Sequence, residues 1–297
     1  MKRNLRISVI TPSYNQCQFI EATIRSVISQ EYPNLEYIII DGGSTDGSLE
    51  VIKKYDSYIT YWVSEADRGQ SHAINKGFEK ATGDILCWIN SDDMLKPGAL
   101  NFVAQALSES SNASWLVGAS ELIDSEGSLI SVRDPGSITH QAMLNWFDNW
   151  FPQQSTFWTR RMWEVSGPLN EKLYYAMDYA LWLKMNNQNP PITTKQVLSS
   201  YRFHNDAKCS TNYSAIGKEI IQTLQYHLNH SSPSNELTRM AKKSISTIGI
   251  TLAYKDAQEQ RYSQARELLT YCLQTSSKDL RLIVLYIKLL LKEWNFK

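Results

Sequence analysis

The chain has 297 residues, of which 42% are hydrophobic and 20% are charged. This is the composition of a globular protein, and it excludes a collagen, a coiled coil and a wholly disordered chain. Lysine plus arginine and aspartate plus glutamate both number 30, so the formal net charge is zero and no strong overall attraction to nucleic acid is expected. The charge is nevertheless uneven: residues 231–297 contain 11 basic and 6 acidic residues, whereas residues 1–230 contain 19 and 24.

Cysteine spacing and apolar runs indicate where the chain functions. The cysteines are widely separated and form no Cys-x-x-Cys pair, which argues against a structural zinc site and a disulfide scaffold and favours a reducing cytoplasm. They are Cys17, Cys87, Cys209 and Cys272. The run Ile7–Ile10 is too short for the apolar core of a signal peptide, and Leu282–Leu291 is too short to cross a bilayer. We therefore expect a cytoplasmic location.

Strand and helix patterns alternate over the first hundred residues. Short runs rich in β-branched and apolar residues predict strands, and the segments between them predict helices. The predicted strands are 6–11, 35–40, 58–63 and 85–89, and the predicted helices are 19–30, 49–55, 71–80 and 97–107, the last opened by Pro97. Repeated strand–helix units imply an α/β fold with a mostly parallel central sheet and right-handed crossovers.

The pattern is less regular from residue 114 to about 202. It predicts strands at 115–119 and 197–203, a hairpin over 122–132 and a helix at 178–185. The segment 144–157 is rich in aromatic residues. These suit either a core or a surface that stacks against sugar rings, and the sequence does not separate the two.

Residues 231–297 show only helical periodicity, with Ala265, Leu268, Leu269 and Cys272 at the spacing of one helix face. The stretch 262–273 is faintly similar to one tetratricopeptide helix, without repeats. We expect a helical appendage that packs on the main domain. The excess of basic residues in this tail allows a second interpretation, a peripheral contact with anionic lipid at the inner face of the membrane.

Three polar clusters follow predicted strands: Thr11–Asn15, Asp41–Asp46 and Asn90–Asp93. The carboxyl ends of parallel strands share one edge of a sheet, and ligands of open α/β sheets bind there, so we expect the clusters to form one site. Asp92 and Asp93 repel each other at such an edge. A hard divalent cation, Mg²⁺ or Mn²⁺, relieves this repulsion and completes its shell with phosphate oxygens. Helix capping is the alternative interpretation of this pair.

An ordered series of motifs runs through the first two thirds of the chain. Its first members are Ile7–Asn15 (ISVITPSYN), Ser26–Gln30 (SVISQ), Asp41–Gly47 (DGGSTDG), Ser64–Gly69 (SEADRG), Ala73–Gly77 (AINKG), Ala81–Asp84 (ATGD) and Asn90–Asp93 (NSDD). It continues with Gln153-Gln154, Gly167, Met177–Trp182 (MDYALW) and Arg202–His204 (RFH). The series resembles the family 2 glycosyltransferases of the GT-A fold, over about residues 5–210.

The resemblance implies a GT-A-type nucleotide-binding sandwich at 1–215, with a nucleotide-sugar-binding half at 1–110 and an acceptor half at 111–215, followed by a helical region at 216–297. It also implies an inverting transfer of a sugar from a nucleotide diphosphate sugar to a hydroxyl of a saccharide or lipid-linked acceptor. The usual setting is bacterial surface polysaccharide or glycolipid assembly.

The resemblance also implies roles for single residues, carried over by motif. The base and ribose of the donor are held by Thr11, Pro12, Tyr14 and Asp41, and its phosphate is neutralised by Arg68. The donor site is also lined by Asn90, Ser91 and Asp93. Mn²⁺ or Mg²⁺ is held by Asp92 and His204, and the catalytic base is Asp178. The alternative for Asp178 is a first-turn helix residue, and for His204 a structural hydrogen-bonded histidine.

Three positions depart from the family pattern. Many members carry a second acid, which reads uracil, where this chain has Gly42, so the base of the donor stays open. The first acid of the usual Asp-x-Asp is Asn90 here, which can hydrogen-bond a ribose hydroxyl but adds no charge. The motif 177–182 begins with Met177-Asp178, where Glu-Asp is common in the family.

Two other classes of protein remain as alternatives. A sugar nucleotidyltransferase would carry basic residues in the first loop, but after Arg6 the next basic residue is Arg25. A non-catalytic nucleotide-sugar-binding module would not need both Asp92 and Asp178. ATPases and dinucleotide oxidoreductases are not favoured, because the chain has neither a P-loop motif nor a Gly-x-Gly-x-x-Gly motif.

Overall fold

The structure, a computed structural model, describes residues 5–110, 113–136, 138–145, 152–204, 208, 212–231, 234–276 and 279–294. Its strands are β1 (Ile7–Ser13), β2 (Leu35–Asp41), β3 (Tyr61–Ser64), β4 (Ile85–Trp88), β5 (Met94–Leu95), β6 (Trp115–Ile123), β7 (Leu129–Arg133), β8 (Thr156–Thr159) and β9 (Ile192–Arg202). Its helices are α1 (Ile20–Ile28), α2 (Ser48–Lys54), α3 (Gln70–Lys80), α4 (Ala99–Glu109), α5 (His140–Met143), α6 (Arg160–Ser166), α7 (Met177–Gln188), α8 (Tyr213–Ser231), α9 (Asn235–Gln258), α10 (Tyr262–Ser276) and α11 (Leu280–Trp294).

The described strands form one mixed sheet in the order β3-β2-β1-β4-β8-β6-β9-β5, with β7 paired to β6. The first four strands run parallel to one another, as the repeated strand–helix units predict. Strand β8 runs antiparallel to both β4 and β6, and β9 runs parallel to β6. The α/β class is therefore confirmed, and the antiparallel pairs belong to the second half of the sheet.

Alternate side chains of the central strands enter two different apolar layers, because successive residues of a strand point to opposite faces. In β1, Ile7 and Val9 pack with α1, α2 and α4, whereas Ile10 packs with α3 and α7. Burial on both faces explains why these strands read as continuous apolar runs. The indole rings of Trp88 and Trp182 stack with centroids 5.5 Å apart. This contact fixes α7 against β4, the strand that precedes the third polar cluster.

Pro12 lies inside β1, although the sequence predicts that it ends the strand. Ile10 accepts a hydrogen bond from Ile89 N on the β4 side, and its pairing with Trp88 is the last between β1 and β4. The backbone nitrogen of Pro12, two residues later, points to the same side of β1, where the pairing with β4 has already ended. Its missing N–H therefore costs no ladder hydrogen bond.

Two other boundaries differ from the sequence prediction. Strand β3 begins at Tyr61 and not at residue 58, because residues 56–58 form a short 3₁₀ turn. Helix α4 begins at Ala99, after Gly98 with φ of +79°, so Pro97 precedes the helix and does not open it. A left-handed residue at the helix start is readily supplied by glycine.

The aromatic segment is described only in part. Residues 146–151, which include four of its aromatic side chains, lie outside the described residues. Phe157 is fully buried within β8, in the layer of α1, α2 and α4. Of the two roles suggested for the aromatic segment, core packing or stacking against sugar rings, Phe157 therefore has the first.

The C-terminal helices pack on the domain through the same apolar layer as α7. This layer extends through Ile220 of α8 and Ile245 of α9 to Leu268 of α10, so the predicted helical appendage is confirmed. Helix α8 begins at Tyr213 and thus crosses the boundary at 215/216, and the division into domains remains a prediction. None of the helices within the described ranges is both long enough and apolar enough to cross a membrane.

Candidate active site

The loops after β1 and β2 meet at the carboxyl edge of the sheet. Gly42 N donates a hydrogen bond to Ser13 O at 2.8 Å. Asn15 joins the loops twice, because its N–H donates to Ser44 Oγ at 2.8 Å and its Oδ1 accepts from Thr45 N at 2.9 Å. The first two polar clusters thus form one surface.

Four residues are predicted to hold the nucleoside, and the structure exposes one of them. Tyr14 is 63% exposed, whereas Thr11 and Pro12 are buried in β1. Asp41 is also buried, and its Oδ2 accepts hydrogen bonds from Ser44 N at 2.9 Å and Ser64 Oγ at 2.6 Å. Asp41 therefore shapes the loop, and the contact of the exposed Tyr14 ring with a ligand remains a prediction.

A carboxylate that the sequence does not mark as a site residue lies over Gly42. A Cβ at Gly42 would lie 2.7 Å from Asp67 Oδ2 and 3.3 Å from Tyr14 Cδ2, so Asp67 fills the space into which a side chain at position 42 would project. Asp67 Oδ1 accepts a hydrogen bond from Gly69 N at 2.7 Å. Its Oδ2 accepts none from any described residue.

Asn90 is the centre of a polar network that follows β4. Its Nδ2 donates to Gln153 Oε1 at 3.1 Å, and its Oδ1 accepts from Gln70 Nε2 at 2.8 Å. Gln70 is the first residue of α3, and its Oε1 accepts from Lys208 Nζ at 2.9 Å. Ser91 is buried after Asn90. The network therefore joins the β4 loop, α3 and the segment after β9.

Asp93 is fully buried and faces the protein interior. Its Oδ1 accepts a hydrogen bond from Arg202 N at 3.0 Å, and its Oδ2 accepts one from Asn90 Nδ2 at 3.3 Å. Burial raises the pKa of Asp93 well above the usual range of a carboxyl, and the neighbouring charge of Asp92 raises it further. Asp93 thus connects the β4 loop to β9, and its contact with the donor remains a prediction.

Asp92 and His204 come together although they are 112 residues apart. Asp92 Oδ2 lies 3.2 Å from His204 Nε2, and Arg202 Nε donates to the Asp92 carbonyl oxygen at 3.1 Å. His204 Nδ1 is buried and has no hydrogen-bond partner among the described residues. Strand β9 therefore places His204, which lies just beyond its end, next to the loop after β4.

The Asp92–His204 pair fits one divalent ion. Adjacent ligands of an octahedral ion lie about 3 Å apart when each is about 2.1 Å from the metal, and the pair is separated by 3.2 Å. Across the described ranges, no group of three or more histidine, cysteine, aspartate and glutamate side chains is arranged to hold a metal. The pair therefore offers two ligands, and the other positions would fall to water and phosphate oxygens, as is usual for Mg²⁺.

Asp178 is half-buried in the first turn of α7. Its Oδ1 accepts a hydrogen bond from Tyr179 N at 2.6 Å, and its own backbone N–H also hydrogen-bonds to the carboxylate. Burial raises the pKa of Asp178, and the Tyr179 N–H and the charge of Lys208 partly oppose this rise. Because Lys208 also hydrogen-bonds to Gln70, its charge links Asp178 electrostatically to the network around Asn90.

Arg68 is exposed and paired with an acid. Its Nε and Nη2 donate to Glu171 Oε2 at 3.0 and 2.7 Å, and its backbone N–H donates to His72 Nδ1 at 3.1 Å. Arg68 and Glu171 line a small cavity together with Gln70, Tyr174 and Lys208. The contact of Arg68 with phosphate remains a prediction, because its guanidinium faces Glu171 in this structure.

Three residues of the site are not predicted from the sequence: Asp67, Gln70 and Lys208. Asp67 belongs to the motif 64–69 and Gln70 directly follows it, so the motif marks the loop without showing which side chains face the site. Gly42 is a second indication of Asp67 in the sequence. A glycine where many family members carry an acid leaves room for the side chain of another acid. Lys208 has no sequence signal of its own.

The raised pKa of Asp178 leads to a prediction about stability. A carboxyl whose pKa is higher in the folded chain than in the unfolded chain stabilises the fold below the unfolded pKa, and this stabilisation is lost as the pH rises through the folded pKa. Asp178→Asn should therefore raise the melting temperature at pH 8, by about 2–4 °C if the change is about 1 kcal/mol.

Asp279→Asn is the matched control for this prediction, with the opposite sign. A hydrogen bond from Arg281 lowers the pKa of Asp279, so the amide should lower the melting temperature at the same pH. Thermal unfolding of both variants at pH 5 and pH 8 tests the pair. A lower melting temperature for Asp178→Asn at pH 8 would contradict the prediction.

Sequence comparison relates the chain to known enzymes. The model of Glycosyl transferase family 2 matches residues 8–161. The chain is 30% identical over 219 residues to the putative teichuronic acid biosynthesis glycosyltransferase TuaG of Bacillus subtilis, a match that covers 71% of this chain and 84% of TuaG. Two uncharacterised glycosyltransferases of Rickettsia species are 25% identical over 281 residues, and the chain spans about half of their length, 46% in each.

Solved structures show the same fold. Residues 1–349 of S. aureus TarS, in complex with UDP-GlcNAc, match with a TM-score of 0.66 at 13% identity, over 92% of this chain and 82% of that chain. The mannosyltransferase PcManGT from Pyrobaculum calidifontis, in complex with GDP-Man and Mn²⁺, matches with a TM-score of 0.60 at 17% identity, over 97% and 80%. These likenesses confirm the GT-A fold, and the family match over more than half of the sequence shows that the chain belongs to glycosyl transferase family 2.

Proposed function

We propose that the chain is an inverting glycosyltransferase that moves a sugar from a nucleoside diphosphate sugar to an acceptor hydroxyl. The observation that carries the proposal is a cluster of polar side chains at the carboxyl edge of the sheet. The Asp92–His204 pair follows β4 there, and the neighbouring network joins Asn90, Gln70 and Lys208, whose charge acts on Asp178. A direct displacement needs both a diphosphate site and a basic carboxylate.

Asp178 is the group that we assign as the base. An alcohol is a weak nucleophile at neutral pH, and a carboxylate that accepts its proton in the transition state contributes roughly 10²–10⁴ in rate. The acceptor oxygen bonds to the anomeric carbon while the bond from that carbon to the diphosphate oxygen breaks, and the Asp178 carboxylate takes the hydroxyl proton. One displacement of this kind inverts the anomeric centre and needs no covalent intermediate.

The leaving nucleoside diphosphate gains negative charge as it departs. Mn²⁺ or Mg²⁺, held by Asp92 and His204, would stabilise this charge electrostatically. The chain itself supplies Lys208, which donates to Gln70 at 2.9 Å on the same surface. Arg68 is a second cation there, and it would exchange Glu171 for a phosphate oxygen.

Tyr14 and Asp67 are the residues proposed to read the base of the donor. The exposed Tyr14 ring offers a stacking surface, and Asp67 Oδ2, beside Gly42, is an acceptor without a described donor. A carboxylate at this point favours bases that carry a ring N–H, which are uracil, thymine and guanine. It disfavours cytosine and adenine, whose corresponding ring nitrogens are acceptors. The UDP-GlcNAc and GDP-Man complexes of the structural relatives agree with this choice.

Asp67→Asn tests this role in base recognition. The substitution keeps the shape of the side chain but removes its charge, so the affinity for UDP and GDP should fall by about 10-fold or more, the usual scale for a hydrogen bond to a charged group. The affinity for CDP should change less. Titration calorimetry with the three nucleotides measures these changes, and Glu65→Gln, whose carboxylate pairs with Lys76, is the matched control. Equal losses for CDP and UDP would rule out a base contact.

The setting that we propose is the assembly of a bacterial surface polysaccharide or glycolipid in the cytoplasm. The similarity to TuaG, which is named for teichuronic acid biosynthesis, supports this setting. The acceptor is then a saccharide or a lipid-linked saccharide.

Product analysis tests the proposed reaction against its alternatives. The full chain is incubated with UDP-, GDP- and dTDP-sugars, Mn²⁺ and a panel of saccharide acceptors. Acceptor-dependent release of a nucleoside diphosphate supports sugar transfer. Release of pyrophosphate from a nucleoside triphosphate and a sugar phosphate would identify a nucleotidyltransferase. Donor binding without any turnover would identify a binding module.

A further inference from the structure

The last helix of the tail exposes an aliphatic face. Six side chains of α11, each between 40% and 72% exposed, lie on about one third of the helix circumference. They are Leu280, Ile283, Val284, Ile287, Leu290 and Leu291, and we name them the α11 face. Leu282 and Leu289, on the other side of the helix, are buried within the tail. Contiguous exposed apolar patches on soluble proteins commonly mark interaction sites.

Exposed basic side chains lie on α11 and on the turns of α9 that approach the start of α11. Lys288 is exposed on α11 itself, and Lys242 and Lys243 are exposed on α9. The two α9 lysines lie within about one turn of Ser246, which hydrogen-bonds to Asp279 at the start of α11. Among the described residues, none of the three lysines forms an ion pair.

Basic side chains outnumber acidic ones in the described part of the tail. Four of its five described acids each form an ion pair, and two of these acids share Arg261. The pairs are Asp256–Arg261, Glu259–Arg261, Glu267–Lys218 and Asp279–Arg281, and the fifth acid is Glu236 in the first turn of α9. With eight basic and five acidic residues at 234–274 and 279–291, the net charge of the described tail is positive.

We propose that the α11 face binds an anionic lipid surface, with its six aliphatic side chains among the acyl chains and Lys242, Lys243 and Lys288 at the phosphate groups. A helix with an aliphatic face and flanking lysines is typical of such binding. The proposal goes beyond the proposed function, because it requires neither a donor nor an acceptor.

A second copy of the chain fits the α11 face less well. A stable dimer interface uses about 20–30 residues on each side, whereas this face has six on one helix. Interface centres are also enriched in aromatic residues, methionine and arginine, and the face has none of these. The positive charge around it favours phosphate groups over a like-charged copy.

Vesicle flotation with the full chain tests the proposal. Vesicles of phosphatidylcholine alone are compared with vesicles that also contain about one third phosphatidylglycerol. We expect flotation with the anionic vesicles, lost as salt is added, and a decrease of about 10-fold or more in the bound fraction for the double variant Val284→Glu/Ile287→Glu. The matched control Val132→Glu/Val165→Glu changes two exposed valines of β7 and α6 and should bind like the unaltered chain. Lys288→Glu should weaken binding by about fivefold or more.

The other results of the flotation experiment also test whether the α11 face binds lipid. An unaltered chain that does not float with anionic vesicles overturns the proposal, as does a double variant that floats as well as the unaltered chain. A dimer in sedimentation that the double variant splits, without flotation, would assign the face to a second copy. Circular dichroism checks the fold of the variants. If the double variant does not fold, Lys242→Glu/Lys243→Glu and Lys288→Glu decide, and unchanged flotation of both overturns the proposal.

Discussion

Asp178→Asn is expected to lower the rate of sugar transfer by about 100-fold or more, the scale for a lost general base, while donor binding persists. The amide keeps the size of the side chain and can still accept the hydrogen bond from Tyr179 N. It cannot take up the proton of an acceptor hydroxyl. The loss should therefore fall on kcat, with little change in donor affinity measured by calorimetry.

Three measurements accompany this variant. Asp134→Asn, an exposed acid 3.7 Å from Lys195, is the matched control and should transfer sugar at the rate of the unaltered chain. Because burial raises the pKa of Asp178, the rate of transfer should fall at acid pH with an apparent pKa above the usual carboxyl pKa of about 3.9. NMR of the product should show an inverted anomeric centre. Turnover of Asp178→Asn close to that of the unaltered chain would remove Asp178 from the mechanism, and a retained configuration would exclude a single displacement.

The first half of the fold is predictable because its signals are local. Strands such as β2 are apolar throughout, since both faces of a parallel sheet are covered, and the helices between them carry their own periodicity. The antiparallel strand β8 is not predictable in this way. Its place between β4 and β6 depends on long-range pairing, and four residues carry too little pattern to specify the neighbour.

The candidate site is predictable as a set of loops but not as a set of side-chain directions. The spacing of motifs marks Asp41 and Asp93 as acids at a strand end, yet the structure uses both to hold backbone and side-chain donors inside the protein. Conversely, Asp67 lies over Gly42 from a loop whose direction is set by tertiary contacts, and Lys208 joins the site through its hydrogen bond to Gln70. Among the predicted metal ligands, Asp92 and His204 each belong to a sequence motif, and the structure brings the two side chains together.

Chelation of divalent ions is expected to abolish donor turnover, and Mn²⁺ or Mg²⁺ is expected to restore it. The Asp92 carboxylate supplies the one negative charge of the proposed ligand pair, so Asp92→Asn should weaken metal-dependent nucleotide binding by about 100-fold or more, since even groups behind the ligands contribute about 10–100-fold. Calorimetry of UDP and GDP with and without Mn²⁺ measures this effect. Glu109→Gln, at the end of α4, is the matched control and should bind both nucleotides normally.

His204→Ala is expected to weaken metal-dependent binding less than Asp92→Asn does. A neutral imidazole contributes a ligand but no charge, and the position it leaves open can be filled by water. Two results would contradict these expectations. Full turnover in excess EDTA would exclude a required metal, and an unchanged metal affinity for His204→Ala would return His204 to a structural role, as a ring packed 4.8 Å from Phe19.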